Sequence, residues 1–205
     1  MMTMHPIQTA RAALGFVRLV DSLTDSPAAA EFLAWAEAHP EIGPAMVRQP
    51  RLGPMDLNAL ATLPSGTLGH AFATHELERG LDPADLPVRP HHDGGSWLLA
   101  HLYETHDIWH VVTGFDTDVA GELGLQAFML GQMPTPLPWF LLGGGFLNTA
   151  LFARHEADAR ARAFVDGWTM GRQARPLVGV AWSERWDEPL ASVREGLGVT
   201  LPAAV

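Results

Sequence analysis

Apolar residues recur along most of this chain at intervals of three and four rather than two, the spacing that lays a stripe along one side of a helix. The first such stretch covers residues 7–20, with Leu14, Val17 and Leu19 at apolar positions. Ser26 followed by Pro27 reads as an N-cap with proline at the first helical position, and it predicts a helix that ends at His39 before Pro40. A short helix is expected over 55–62. Thr67 can cap the next, which closes on the basic residue and glycine Arg79-Gly80. Residues 81–95 hold three prolines and two glycines and read as loop. A long helix follows over 96–113, stopped by Gly114. A tight connection at 115–118, with Asp116 or Thr117 as cap, leads into a helix over 118–132. After the proline-rich break 133–138 the pattern predicts helices over 139–152 and 154–173. An extended tail over 176–182 precedes a short helix capped by Asp187 and running to Glu195. No strand and no internal repeat emerges. The expectation is an all-α fold, a single-domain bundle of about eight helices spanning 1–205.

Composition sharpens this picture. Apolar residues make up 47% of the 205, enough for a substantial core, whereas charged residues are only 18%. So few charges imply apolar surface, of the kind that marks lipid or partner contacts, a homodimer among them. The formal net charge of -10 argues against a nucleic-acid partner, which needs clustered Lys and Arg, and against attraction to an anionic membrane by charge alone. There is no cysteine, so disulfides, thiolate nucleophiles and Cys-based zinc sites are excluded. A bound metal would be held by His, Asp and Glu, which suits an open site better than a structural zinc knuckle. The N-terminal stretch lacks a basic segment followed by an apolar core and a cleavage site. No signal or transit peptide is therefore expected, and a bacterial-type cytoplasmic location, peripheral on the inner membrane, is the expectation.

The apolar run from Trp139 to Ala153 is fifteen residues long, short for a spanning helix. The segment Leu137 to Phe152 is read instead as a buried core helix, or as one wall of a tunnel for a long apolar ligand.

One segment concentrates candidate chemistry: His106-Asp107-Ile108-Trp109-His110, with Glu122 twelve residues beyond. Residues four apart on a helix lie about 40° from each other, so His106 and His110 share a face, and Asp107 sits at its edge. His106 stands about 10 Å and His110 about 4.5 Å from the end of the helix. Glu122 lies about 8 to 9 Å along the next one. An antiparallel helical hairpin would therefore bring Glu122 level with both histidines. Such a His/Asp/Glu set suits Zn²⁺, and also Co²⁺, Mn²⁺ or Fe²⁺. The segment is not a zincin helix, which needs Glu directly after the first His.

Other candidates are weaker. His91-His92-Asp93 reads as a polar loop, and His70 and His75 are five apart, a poor spacing for one helical face. His101 and Glu104 could orient a ligand or merely belong to a polar helix face. Gly143-Gly144-Gly145 is not a phosphate loop, since no Lys-Ser/Thr follows. It suits a bend or a close helix approach.

Several ordered motifs resemble the ubiquinone (coenzyme Q) biosynthesis family often called Coq four. They are the His-Asp-x-x-His pattern followed by eleven residues and Glu at 106–122, its approach Thr117-Asp118-Val119-Ala120-Gly121-Glu122, and the turn Pro64-Ser65-Gly66-Thr67-Leu68-Gly69. Downstream, Gly171-Arg172-Gln173-Ala174-Arg175-Pro176-Leu177, Glu184-Arg185-Trp186, Val193-Arg194-Glu195 and Leu197-Gly198-Val199 resemble its C-terminal signature. The resemblance covers about residues 10–200. It implies an all-α fold and a divalent metal, zinc first, on His106, Asp107, His110 and Glu122, which are then also the catalytic residues. It further implies a long prenyl-chain site between helices and removal of the C1 carboxylate from a polyprenylated 4-hydroxybenzoate, simple or oxidative. The implied partners are a prenylated quinone precursor and the other ubiquinone-biosynthesis enzymes. One departure is Tyr103, where the family pattern leads us to expect a basic residue. A non-catalytic isoprenoid-binding scaffold that organises those enzymes at the membrane is the alternative. A metal phosphohydrolase fits less well, because its distal His and Asp cannot be placed.

Overall fold

The computed structural model describes residues 26–81, 83 and 91–202. The helix expected over 7–20 and most of the loop at 81–95 lie outside them. Among the described residues the chain is all-α. It forms α1 (Pro27–Ala38), α2 (Ile42–Arg48), α3 (Leu57–Ala61), α4 (Leu68–Arg79), α5 (Gly94–Thr113), α6 (Val119–Gln132), α7 (Leu137–Phe152), α8 (Ala157–Gln173) and α9 (Leu190–Leu197). Two 3₁₀ turns, Arg154–Glu156 and Trp182–Glu184, complete the set.

Capping chemistry explains most boundaries. Ser26 accepts from the Ala29 amide, Asp56 from Asn58 and Ala59, and Thr67 from His70, each satisfying donors that a helix start leaves free. Gly80, Gly114 and Gly198 close α4, α5 and α9 in the left-handed conformation. Three expectations shift. Helix α5 begins two residues early because Asp93 makes a capping box with Ser96. Helix α6 is capped by Asp118 rather than by Asp116 or Thr117. The last helix starts after Pro189, not at Asp187. Helix α2, with no side-chain cap hydrogen bond, was not anticipated.

The main core gathers Phe32, Phe72, Trp97, Ile108, Trp109, Phe128 and Trp182, with α5 running through its middle. The two halves of α5 are anchored from different sides. Near its start, Trp97 Nε1 donates to the Pro50 carbonyl at 2.9 Å. His101 bonds the same carbonyl through Nδ1 and accepts the Gly179 amide at Nε2. At its end, the half-buried Arg194 donates to the carbonyls of Val111 and Val112, both at 2.9 Å. The segment around Trp186 is stitched to the start of α4: Gly69 donates to the Trp186 carbonyl and Leu68 to that of Glu188, both at 2.9 Å. A Cβ at Gly69 would lie 3.1 Å from Trp186, so glycine is what allows that approach. The Pro64–Gly69 turn and the Trp186 segment, far apart in sequence, are therefore one joint.

Helices α6 and α8 run parallel, and α7 joins them in the chain without separating them. Their backbones touch: a Cβ on Gly167 would collide with the Gly124 carbonyl, and one on Gly171 with the Phe128 carbonyl. The reading of Leu137–Phe152 as a core helix is corrected. Only Pro138, Leu142 and Thr149 of α7 are buried. Helix α7 lies over α6 on a narrow stripe, with Leu142 packed against Leu123 and Leu130. No described helix is long and apolar enough to cross a membrane.

Candidate metal centre

Helices α5 and α6 form the expected hairpin. The connection 114–118 is tight enough that a Cβ on Gly121 would collide with the Asp116 carbonyl. Asp118 accepts the Gly121 amide at 2.7 Å, and this cap sets the phase of α6 so that Glu122 faces α5. His106, Asp107 and His110 each offer a ligand atom, all within 4.8 Å of one another. The Glu122 carboxylate closes the group, 3.2 Å from His110 Nε2 and 3.8 Å from His106 Nε2. All four residues singled out from the sequence thus meet across the hairpin.

The imidazole orientations follow from their partners. His110 Nδ1 lies 2.9 Å from the Phe115 carbonyl, which can only accept, so Nδ1 carries the proton. In the neutral ring the buried Nε2, 3.2 Å from Glu122, is then the nitrogen without a proton. His106 Nδ1 lies 3.0 Å from Asp107 Oδ1 and by the same logic donates to it, again freeing Nε2. Both rings therefore present an unprotonated Nε2 toward one carboxylate. A divalent ion is the partner such a donor set suits, and a carboxylate behind a ligating imidazole is a common support. Asp107 Oδ1 stands in that position behind His106, which fits its place at the edge of the helical face.

The electrostatics agree. Burial alone would lower the His110 pKa, but the Glu122 carboxylate outweighs it and the net shift is upward. Burial pushes Asp107 up, yet its bond to His106 and the nearby imidazoles hold it below the usual carboxylate range. His110 is 1% exposed, whereas the side chains of His106, Asp107 and Glu122 are 34%, 29% and 41% exposed. The centre is exposed at His106, Asp107 and Glu122 and buried at His110.

On the His110 side lies a cavity of about 520 Å³ lined by His70, His75, Arg79, Val111, Phe115 and Leu190, among others. His75 was set aside in the sequence for its spacing from His70, yet its ring stacks on His110 with centroids 6.0 Å apart. It comes from α4, and its nearness to His110 could not be read from local periodicity. Burial and Arg79 lower its pKa. His101 and Glu104 turn away from the centre. Glu104 pairs with Arg51 at 2.8 Å, and His101 ties α5 to the Pro50 and Gly179 backbones. Asp93 is spent on its cap and His91 contacts Arg51, so the 91–93 triple gathers no ligand set.

The family model for the Coenzyme Q (ubiquinone) biosynthesis protein Coq4 matches residues 11–203. The chain belongs to this family. It is 28% identical to the human mitochondrial ubiquinone biosynthesis protein COQ4 homolog over 80% of this chain and 62% of that protein. It is 30% identical to mitochondrial homolog 1 from Culex quinquefasciatus over 71% of this chain and 52% of that one. The chain thus spans between about half and three-fifths of these relatives' length. A crystal structure from Nostoc punctiforme, of a candidate ubiquinone biosynthesis protein, superposes with a TM-score of 0.82 at 33% identity. It covers 93% of this chain and 92% of that one.

Proposed function

We propose that this member of the ubiquinone-biosynthesis family is a metal-dependent lyase. It removes the C1 carboxyl group from a polyprenylated 4-hydroxybenzoate and works at the membrane that carries this lipid, together with other enzymes of the pathway. The observation that carries the reading is the convergence of two Nε2 atoms, Asp107 and Glu122 across one hairpin, with His110 reaching the wall of a cavity.

His106, Asp107, His110 and Glu122 would hold the ion, Zn²⁺ first, with Co²⁺, Mn²⁺ or Fe²⁺ as the other members of the class. Bound there, it would supply Lewis acidity toward a carboxylate or ring oxygen. In the simple reaction a proton adds to C1, the C1–carboxyl bond breaks and CO₂ leaves, with the para hydroxyl feeding electrons into the ring. The Phe115 carbonyl and the Asp107 carboxylate fix the two imidazoles so that no reorganisation is needed when the site is loaded. His75, stacked on His110 in the cavity wall, is the group placed to hold or move a proton. The apolar wall residues Val111, Phe115 and Leu190 exclude water and give the prenyl chain its first contacts.

One observation favours the scaffold reading: the cavity reaches the cluster at His110, while His106, Asp107 and Glu122 stand outside its lining. The deciding experiment replaces His110 by Ala and measures metal content together with conversion of a prenylated 4-hydroxybenzoate. Loss of both is expected. Full turnover by the metal-free variant would sink the lyase, and bound prenyl lipid without turnover under any divalent metal would leave the isoprenoid-binding scaffold.

A further inference from the structure

Helix α9 begins at Leu190, which lines the cavity beside His110, and it carries Arg194 one turn further along the same face. The Arg194 guanidinium is half-buried. Burial lowers its pKa, and no carboxylate among the described residues raises it again. Arg51, Arg175 and Arg185, by comparison, pair with Glu104, Glu41 and Glu188. The hydrogen bonds of Arg194 run instead to backbone 82 and 83 residues away. Its Nε donates to the Val112 carbonyl and its Nη2 to that of Val111, both at 2.9 Å. A cation held away from solvent without a counter-ion is costly, so the explanation lies in what it holds.

What it holds is the end of α5. Gly114, in the left-handed conformation with φ of 76°, turns the chain out of the helix. Its amide still bonds the His110 carbonyl at 2.8 Å, but the amides that would reach Val111 and Val112 have left with the chain. The two prongs of Arg194 fill those two places. The next residue is Phe115, whose carbonyl returns to His110 Nδ1 at 2.9 Å. His110 is therefore bonded at its backbone and at its ring by the one turn that Arg194 closes. Nδ1 held on that carbonyl is what leaves Nε2 facing Glu122, 3.2 Å away.

We propose that Arg194 is a positioning residue of the metal centre. It fixes the last turn of α5 and the step from Gly114 to Phe115, and through the Phe115 carbonyl it aims the His110 imidazole. This role presupposes that His106, Asp107, His110 and Glu122 hold a divalent ion, as proposed above.

Charge and positioning predict opposite results. Arg194 is a cation bonded to the residue that follows a metal ligand, and it offsets the negative end of the α5 dipole. Were its charge all that mattered, Arg194→Met would tighten Zn²⁺ binding. Loss of positioning should instead weaken it about tenfold, the low end of the ~10–100-fold typical of groups that orient metal ligands. The test is chelator-competition titration of the full chain with Zn²⁺, with circular dichroism to check the fold. NMR of the metal-free chain supplies a second readout. In Arg194→Met the His110 Nδ1 proton should shift and exchange faster with water. The His101 Nδ1 proton, on the Pro50 carbonyl at the other end of the same helix, should not change. Arg194→Lys keeps the charge and a donor but not the fork, and should recover part of the lost affinity. If the methionine variant does not fold, the lysine variant carries the test, with a smaller loss of the same kind. Glu104→Gln, which loosens α5 on its Arg51 side, should leave Zn²⁺ affinity unchanged. Zn²⁺ binding by Arg194→Met as tight as by the wild type would overturn the role of Arg194 alone. Equal changes at His110 and His101, or an equal loss of affinity in Glu104→Gln, would do the same. A wild type that takes up no Zn²⁺ would overturn it together with the metal centre.

Discussion

Replacing Glu122 by Gln keeps the shape of the side chain and removes its charge. Glu122 sits in the first turn of α6, where a negative charge opposes the helix dipole, and its side chain is 41% exposed. That dipole contribution is about 0.3–1 kcal/mol, so the stability of the metal-free protein should fall by no more than about 1 kcal/mol. The effect on metal binding should be much larger. Loss of a group that merely orients a ligand typically weakens metal binding by about 10- to 100-fold. Loss of the carboxylate that faces both Nε2 atoms should therefore weaken it by at least about 100-fold, or about 2.7 kcal/mol. A second signature separates this from general damage. Glu122 is what holds the His110 pKa above its ordinary value against the opposing effect of burial. In the Gln variant the His110 titration should move down. Chelator-competition titrations with Zn²⁺ would read the affinity, and NMR of the imidazole protons in the metal-free protein would read the titration. An unchanged metal affinity, with the fold intact, would refute the assignment of Glu122 to the centre.

Metal affinity of the wild-type protein should also fall as the pH drops, because the raised His110 pKa lets protons compete for Nε2 before an ordinary histidine would; proton release on Zn²⁺ binding in two buffers of different ionisation enthalpy checks this. Glu104 is held below its ordinary pKa by His101, Arg51 and the Leu52 amide, although burial opposes them. A depressed carboxylate contributes stability that is present above its unfolded pKa and lost as the pH falls through the folded one. Glu104→Gln should therefore destabilise at neutral pH, by about 1–3 kcal/mol for a charge-assisted bond, and flatten the acid limb of the urea-stability profile. Gly167→Ala should cost at least about 1–3 kcal/mol in urea unfolding, since the new methyl meets the Gly124 carbonyl and the backbones of α6 and α8 must part. An unchanged midpoint would mean that these helices are not in backbone contact.

How much of this was legible in advance divides along physical lines. Local chemistry is written in the chain. Ser26, Thr67, Gly80 and Gly114 act within one turn of themselves, so capping and stop signals placed the edges of α1, α4 and α5 with small errors. The centre was legible for the same reason. His106 and His110 share a face by helical repeat, and one short connection carries Glu122 back to them, so no long-range information was needed. Around the centre the misses are non-local. His75 reaches His110 only because α4 packs against α5. His101 and Glu104 looked like neighbours of the centre but point to the Pro50, Gly179 and Arg51 side, a choice made by packing rather than by spacing. For α7 the error had a clear cause. Hydrophobicity says that a segment prefers to leave water, but not which surface will cover it. Helix α6 closes on α8 through backbone contacts at Gly167 and Gly171, and α7 meets α6 only along the stripe of Leu142, so most of its apolar side chains stay on the outside. Periodicity and capping thus determined most of the helices, and the residues that meet across the α5–α6 hairpin, from the sequence alone. Only the tertiary structure, through the packing of helices distant in sequence, decided which residues surround that group and which apolar side chains were left bare.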